Sequence, residues 1–291
     1  MPAFTLPLSS PLDLSASLLP LGAAGDDLLE RWDGNRLLRT VPVKGRLVAY
    51  RAVPQGTPEQ PALQIQTEED VPGLDAAIRG HFVPTPGGWQ ELLQRDPVLA
   101  TLDRCLPGVR PLRQQNLFAA LVRAVSAQQV NLRWAATTRA RLADAFGDRH
   151  EVAGESVYSL SPAHIAALDP ADIRALQFTT RKAEFIVGIA EEIAAGRLTR
   201  AMLTALPDEA VIARLTALRG IGRWTAEWVL ARVLGRPVVV AGDLGVRKVV
   251  ARAYLGREVA SEAEVRQATA HWGEGALLAQ TLLLHDAYGT M

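Results

Sequence analysis

Two hydrophobic periods divide the chain. Before residue 83 the apolar positions follow strand-like spacing, and after Arg113 they recur every three or four residues. Between Asn35 and Pro54 the stretch NRLLRTVPVKGRLVAYRAVP predicts two strands around a Lys44-Gly45 turn. In ALQIQT (62–67) Leu63 and Ile65 alternate with polar neighbours, which predicts a third strand, and a short helix is expected at LDAAIRGHF. Residues 1–83 thus describe an α+β lobe with a small antiparallel sheet. The cluster PTPGG (84–88) punctuates its end, and LPGVRP (106–111) closes a connecting segment. Beyond it Leu117, Phe118, Leu121, Val122 and Val125 share one helix face, which Ser126 and the pair Gln128-Gln129 interrupt before a second helix from Asn131 to Phe146. Helical segments are predicted at 162–168, 170–176, 180–195, 207–218, 223–234, 244–254, 261–271 and 275–286, so the larger part reads as nearly all α.

The segment LTALRGIGRWTAEWVLARVLG (215–235) is the most informative. One helix ends at Leu218, another starts near Arg223, and Gly220 and Gly222 bracket Ile221 between them. Glycines there allow positive φ and close backbone approach, while Ile221 can bury between the helices it joins. The start of the second helix offers unpaired N–H groups and a positive dipole end, which suit a phosphate and position a duplex without reading its sequence. Taken alone, Gly-x-Gly is also an ordinary helix terminator. Downstream, Asp243 stands before LGVRKVVARAYL and suits an N-cap, whose N–H donors favour the ionised carboxylate.

Together, Leu218-Arg219-Gly220-Ile221-Gly222-Arg223-Trp224-Thr225-Ala226 and Ala241-Gly242-Asp243-Leu244-Gly245-Val246 resemble the helix-hairpin-helix and Gly-Pro/Asp signature of the base-excision glycosylase superfamily. The acid lies 243 − 222 = 21 residues past the last hairpin glycine. The resemblance runs from about Leu112 to Tyr288, and the N-terminal lobe is similar to the extra domain of the DNA-3-methyladenine glycosylase II branch. It implies three units: residues 1–83, a central helical domain at 114–235 containing the hairpin, and a second helical domain from 84–113 and 236–291, with the site in the cleft between the helical domains.

What the resemblance implies for chemistry follows residue by residue. Asp243 becomes the catalytic carboxylate: cleavage of an N-glycosidic bond builds positive charge on the sugar, and an anion beside C1′ lowers that barrier. A 3- or 7-alkylated purine leaves neutral, so no strong general acid is needed. Trp224 and Trp228, four apart on one helix face, and Trp272 become candidates for a base pocket, where indole stacks on an electron-poor base. Ser126 to Val130 resembles the superfamily's wedge, with Gln129 as the inserting side chain and Gln128 beside it, filling the gap left by an everted nucleotide. DNA contacts are expected from Gln128, Gln129, Arg219, Gly220, Ile221, Gly222 and Arg223. Backbone carbonyls matching Thr216, Leu218 and Ile221 would hold a monovalent cation, Na⁺ or K⁺, bridging to phosphate. Lyase members carry lysine where this chain has Trp224, and its three lysines (44, 182 and 248) lie outside the hairpin, so base release by water alone is expected. Gly275 stands where relatives often place a pocket tryptophan, which suggests a wider cleft and a broader lesion range, including N1-methyladenine and N3-methylcytosine.

Composition refines this picture. With 31 basic and 31 acidic residues the net charge is zero, yet seven arginines and no acid occur from Arg104 to Ala143, and seven basic residues against Glu227 and Asp243 from Arg219 to Arg252. These runs allow a locally basic face on a neutral protein. The single cysteine, Cys105, excludes a disulfide framework and a four-cysteine iron–sulfur cluster, and reads as a small buried hydrophobe. Histidines 81, 150, 164, 271 and 285 show no metal-ligand spacing, so no cofactor is required. Trp134 and His285 read as packed residues. The proline-broken N-terminus with Asp13 does not read as a signal peptide, and no apolar run reaches the length of a membrane span, so a cytoplasmic monomer acting on double-stranded DNA with alkylated bases is expected. Two other readings stay open: a glycosylase of the same fold for oxidised or deaminated bases, and a non-catalytic DNA-binding module.

Overall fold

The computed structural model describes residues 2–289. The N-terminal lobe is built from β1 (Ala3–Pro7), α1 (Leu14–Ala23), β2 (Glu30–Trp32), β3 (Leu37–Val43), β4 (Arg46–Thr57), β5 (Gln60–Gln66) and α2 (Leu74–Arg79). Its five strands form one antiparallel sheet in the order β1-β5-β4-β3-β2. The predicted turn joins β3 to β4 as a two-residue hairpin with Lys44 and Gly45 both at positive φ, the geometry that matches strand twist. Tyr50, Ala52, Leu63 and Ile65 point from the sheet into a core closed by Leu18 of α1 and Ile78 of α2. β1, β2 and α1 are absent from the sequence reading. The strands are short and lie at the sheet edges, and Pro11 and Pro20 interrupt the periodicity around α1, whose start is fixed by the Asp13 cap.

The remaining helices form two further cores. One joins α3 (Trp89–Arg95) and α4 (Pro97–Cys105) to the C-terminal elements. The chain then crosses to build the central core from α5 (Leu117–Ala127), α6 (Leu132–Phe146), the strands β6 (Asp148–Val152) and β7 (Glu155–Ser159), and α7 (Pro162–Ala166), α8 (Pro170–Ala175), α9 (Thr180–Ala194), α10 (Arg200–Ala205), α11 (Asp208–Thr216) and α12 (Arg223–Val229). α12 continues as a π turn to Leu234 and stops at Gly235, which has positive φ. The chain crosses back to α13 (Leu244–Val250), α14 (Glu262–Thr269) and α15 (Ala276–Gly289), completing the outer core. The two crossings touch: Gln114 donates its N–H to the Arg232 carbonyl at 2.6 Å, and a Cβ on Gly235 would overlap the Arg113 guanidinium.

The larger part is mainly helical as expected, with one addition that the sequence reading lacks, the β6-β7 hairpin, and two local expectations need correction. The hairpin's strands are mostly polar, and their buried apolar side chains are Val152 and Val157, against Leu38 of β3, so no alternating apolar run announces it. Polar bonds complete that docking, with Glu155 accepting from Arg36 at 3.0 Å and Arg51 at 3.2 Å. Cys105 is exposed at the end of α4, where the Asp96 cap directs Leu99 and Leu102 inward instead. Trp134 is 40% exposed and lies under the Arg141 guanidinium, 5.4 Å from the ring centroid. No helix among the described residues is long and apolar enough to cross a membrane.

Candidate active site

The hairpin is built as its sequence requires. α11 ends at Thr216, the Ile221 N–H donates to the Leu218 carbonyl at 3.2 Å, and Ile221 is buried in the central core. Gly220 has φ 83° and lies so close to the Phe185 ring of α9 that a Cβ would overlap it. Gly222 differs: its φ of −96° is open to any residue, and its exposed N-cap position simply leaves the first turn of α12 without a side-chain cap. The carbonyls of Thr216 and Ile221 accept no backbone hydrogen bond among the described residues, whereas the Leu218 carbonyl is already engaged. Arg219 projects to solvent, 82% exposed, with Glu184 at 3.4 Å. Arg223 donates to Glu227 at 2.9 Å, a buried carboxylate that also takes Arg266 of α14 at 2.7 Å and so ties the two helical cores together.

Asp243 caps α13 as expected. Its Oδ1 accepts from the Val246 N–H at 3.0 Å, and its Oδ2 accepts from the indole N–H of Trp224 at 3.2 Å. The carboxylate is half-buried and held on both oxygens, one by its own helix and one by the hairpin helix. Gly245 leaves room for Leu284 of α15 to approach it: the position of a Cβ there is 3.0 Å from Asp243 Oδ1 and 3.3 Å from Leu284 Cδ2. Leu284 in turn lines a cleft of about 190 Å³, together with Trp228, Pro20 and Leu21 of α1, Arg110 and His285. All three cores therefore contribute to this cleft, which Leu284 separates from Asp243. His285 is anchored there, its Nε2 3.0 Å from the Ala16 carbonyl.

The structure thus groups Asp243, Trp224 and Trp228, with the edge of the Trp224 indole bonded to the carboxylate. Trp272 does not join them. It is 2% exposed in the outer core and packs on Tyr254 at 5.9 Å. Gly275 opens no extra space either. A Cβ there would be 2.6 Å from Leu92 Cδ2 and 3.1 Å from the Trp89 ring, so α3 fills the volume that the glycine leaves.

The segment expected to act as the wedge, Ser126 to Val130, meets the hairpin. Gln128 donates its Nε2–H to the Gly220 carbonyl at 3.0 Å, and Gln129 is exposed with φ 55°. Several arginines of the first basic run face inward: Arg110 is buried, and Arg123 and Arg139 pair with Asp27 and Glu30 of the N-terminal lobe. The exposed members of that run are fewer than its composition suggests, since the neutralising acids come from far upstream. No cluster of three or more His, Cys, Asp or Glu side chains able to hold a metal occurs among the described residues.

A carboxylate cap bonded to the helix that leaves a glycine-bracketed hairpin, where two helical cores meet, defines a helix-hairpin-helix protein of the base-excision type. Residues 122–274 match the HhH-GPD superfamily base excision DNA repair protein family, and the chain belongs to it. It is 36% identical over 154 residues to a DNA-3-methyladenine glycosylase of Bacillus subtilis, covering 53% of this chain and 51% of the relative. The chain spans about half the length of the sequence relatives it matches. The fold follows that of the 3-methyladenine DNA-glycosylase from Archaeoglobus fulgidus across 99% of both chains, with a TM-score of 0.85 at 24% identity. The Schizosaccharomyces pombe 3-methyladenine DNA glycosylase, solved with abasic DNA, aligns over 70% of this chain and 93% of its own, with a TM-score of 0.51 at 24% identity.

Proposed function

We propose that the protein is a monofunctional DNA glycosylase that everts alkylated purines, 3-methyladenine and 7-methylguanine among them, and releases them by hydrolysis to leave an abasic site. The observation that carries this reading is the Asp243 carboxylate, half-buried and fixed on both oxygens, one of them by the Trp224 indole of the hairpin helix. As the glycosidic bond lengthens, positive charge grows on the sugar, and a pre-oriented anion stabilises it without reorganisation. A water near Asp243 completes the displacement. The cationic leaving group departs neutral, which accords with the partners of Asp243 among the described residues, an indole N–H and a backbone N–H with no acid.

The hairpin's exposed backbone around Gly222, with Arg219 and Arg223, would grip phosphate, and Gln129 would fill the vacated stack. A monovalent cation, if bound, would sit on the carbonyls of Thr216, Leu218 and Ile221 and supply positive charge toward phosphate. The glycosylase relatives and the abasic DNA held by the fission-yeast protein support duplex DNA as partner. Hydrolysis without strand cleavage is favoured by Trp224, an indole with no nucleophilic amine, at the position where lyases carry lysine.

The test is release of free bases from methylated DNA, resolved by chromatography, for wild type and Asp243→Asn. Wild type should release 3-methyladenine and 7-methylguanine, while the variant binds the same DNA and releases neither. Borohydride should trap no covalent complex; a trapped Schiff base would overturn the monofunctional assignment.

A further inference from the structure

The wedge turn is held from a direction that the cleft does not explain. Ser126, at the end of α5, is 1% exposed and uses every polar atom: its hydroxyl donates to the Arg123 carbonyl at 2.8 Å and accepts from Arg139 Nη1 at 2.9 Å, and its carbonyl accepts from Lys182 Nζ at 2.8 Å. Three residues on, Gln129 is held at φ 55°, a left-handed backbone that residues other than glycine and asparagine rarely adopt. Arg139 is itself 2% exposed, and its Nε donates to Asp27 Oδ2 at 2.8 Å. Asp27 belongs to the N-terminal lobe, between α1 and β2. Its other oxygen accepts the N–H groups of Leu29 and Glu30, and it is 1% exposed. The loop around it leaves its own lobe: Leu28 and Leu29 pack in the central core, and the Leu28 carbonyl accepts from the Tyr158 N–H at 2.9 Å.

We infer that Asp27 and Arg139 are positioning residues for base eversion: the N-terminal lobe reaches through a buried ion pair to Ser126 and sets the turn that presents Gln129. This rests on the wedge assignment in the proposed function. A fork-shaped guanidinium suits the task, because one side chain binds a carboxylate and a hydroxyl in fixed directions, which an ammonium cannot do. Asp27 is the deeply buried aspartate of its lobe, and through Arg139 it reaches the last turn of α5.

The experiment compares two duplexes, one with 7-methylguanine opposite cytosine and one with 7-methylguanine opposite an abasic gap, where eversion breaks no base pair. Single-turnover release is measured for wild type, Arg139→Lys and the double variant Asp27→Asn/Arg139→Gln, which removes both charges together and leaves Arg123, the other partner of Asp27, paired with Glu30. Release from the paired lesion should fall about tenfold in both variants, the loss expected for one charge-assisted hydrogen bond, while release opposite the gap stays within about twofold. Fluorescence of 2-aminopurine beside the paired lesion should show a matching loss of eversion. Equal losses on both duplexes, or no loss on either, would overturn this inference while leaving the glycosylase reading intact. Wild-type protein inert on both duplexes would overturn both.

Discussion

Trp224→Phe separates two roles that the hairpin helix could give an indole. The substitution keeps an aromatic ring at the same position and removes the N–H that donates to Asp243 Oδ2 at 3.2 Å. A hydrogen bond to a charged acceptor contributes about 1.5–3 kcal/mol. The separation here is at the long end of the N–H···O range and the carboxylate is half-exposed, so the lower figure applies. Loss of about 1.5 kcal/mol of orientation in the transition state slows the chemical step about tenfold. Asp243 is not released altogether, because the Val246 N–H still holds Oδ1 at 3.0 Å. Single-turnover release from a 7-methylguanine duplex, titrated with enzyme, gives the maximal rate and the half-saturating concentration separately. The maximal rate should fall about tenfold with half-saturation changed less than about twofold. An unchanged maximal rate with weakened half-saturation would mean that Trp224 holds the base, and the positioning argument would fail.

Gly220→Ala combines a positive φ with overlap onto the Phe185 ring and should cost about 2–4 kcal/mol, read by urea denaturation, with weaker binding to undamaged duplex. Gly275→Trp should destabilise the outer core by about 3 kcal/mol or more through collision with Trp89 and Leu92 rather than narrow the set of released bases, which a lesion panel on the folded fraction checks. Burial, with Arg39 and Arg200 nearby, pushes the His81 imidazole well below its ordinary 6.5. The native protein therefore keeps His81 neutral while the unfolded chain takes up a proton. Stability present above about pH 6.5 should decline as the pH falls below it, by up to about 1.4 kcal/mol per pH unit, and His81→Gln should flatten that slope in denaturant titrations.

The parts of the site legible in the sequence are those written in consecutive residues. The hairpin and the Asp243 cap each depend on a few neighbouring positions, and β3 to β5 carry their own alternation. What depends on distant packing was hidden. Trp228 and Trp272 both lie on amphipathic helical segments, and only the fold sends one to the cleft and the other against Tyr254. Gly275 reads as empty space until Trp89, far upstream, fills it. The same holds for Arg123 and Arg139, whose charges look free until Asp27 reaches them from the N-terminal lobe. No signal in the sequence links those positions, because an ion pair between lobes leaves no periodicity.

The paired crossings at Gln114–Arg232 and Arg113–Gly235 have an entropic consequence. Without a folded centre, the outer helices would have to close a floppy loop from 114 to 240, at a cost on the order of 4 kcal/mol. Folding of the centre shortens that loop to a few ångströms and delivers the two outer pieces to each other already aligned. The walls of the cleft should therefore melt as one unit, and any change that loosens the crossing should broaden the unfolding transition before it alters the chemistry.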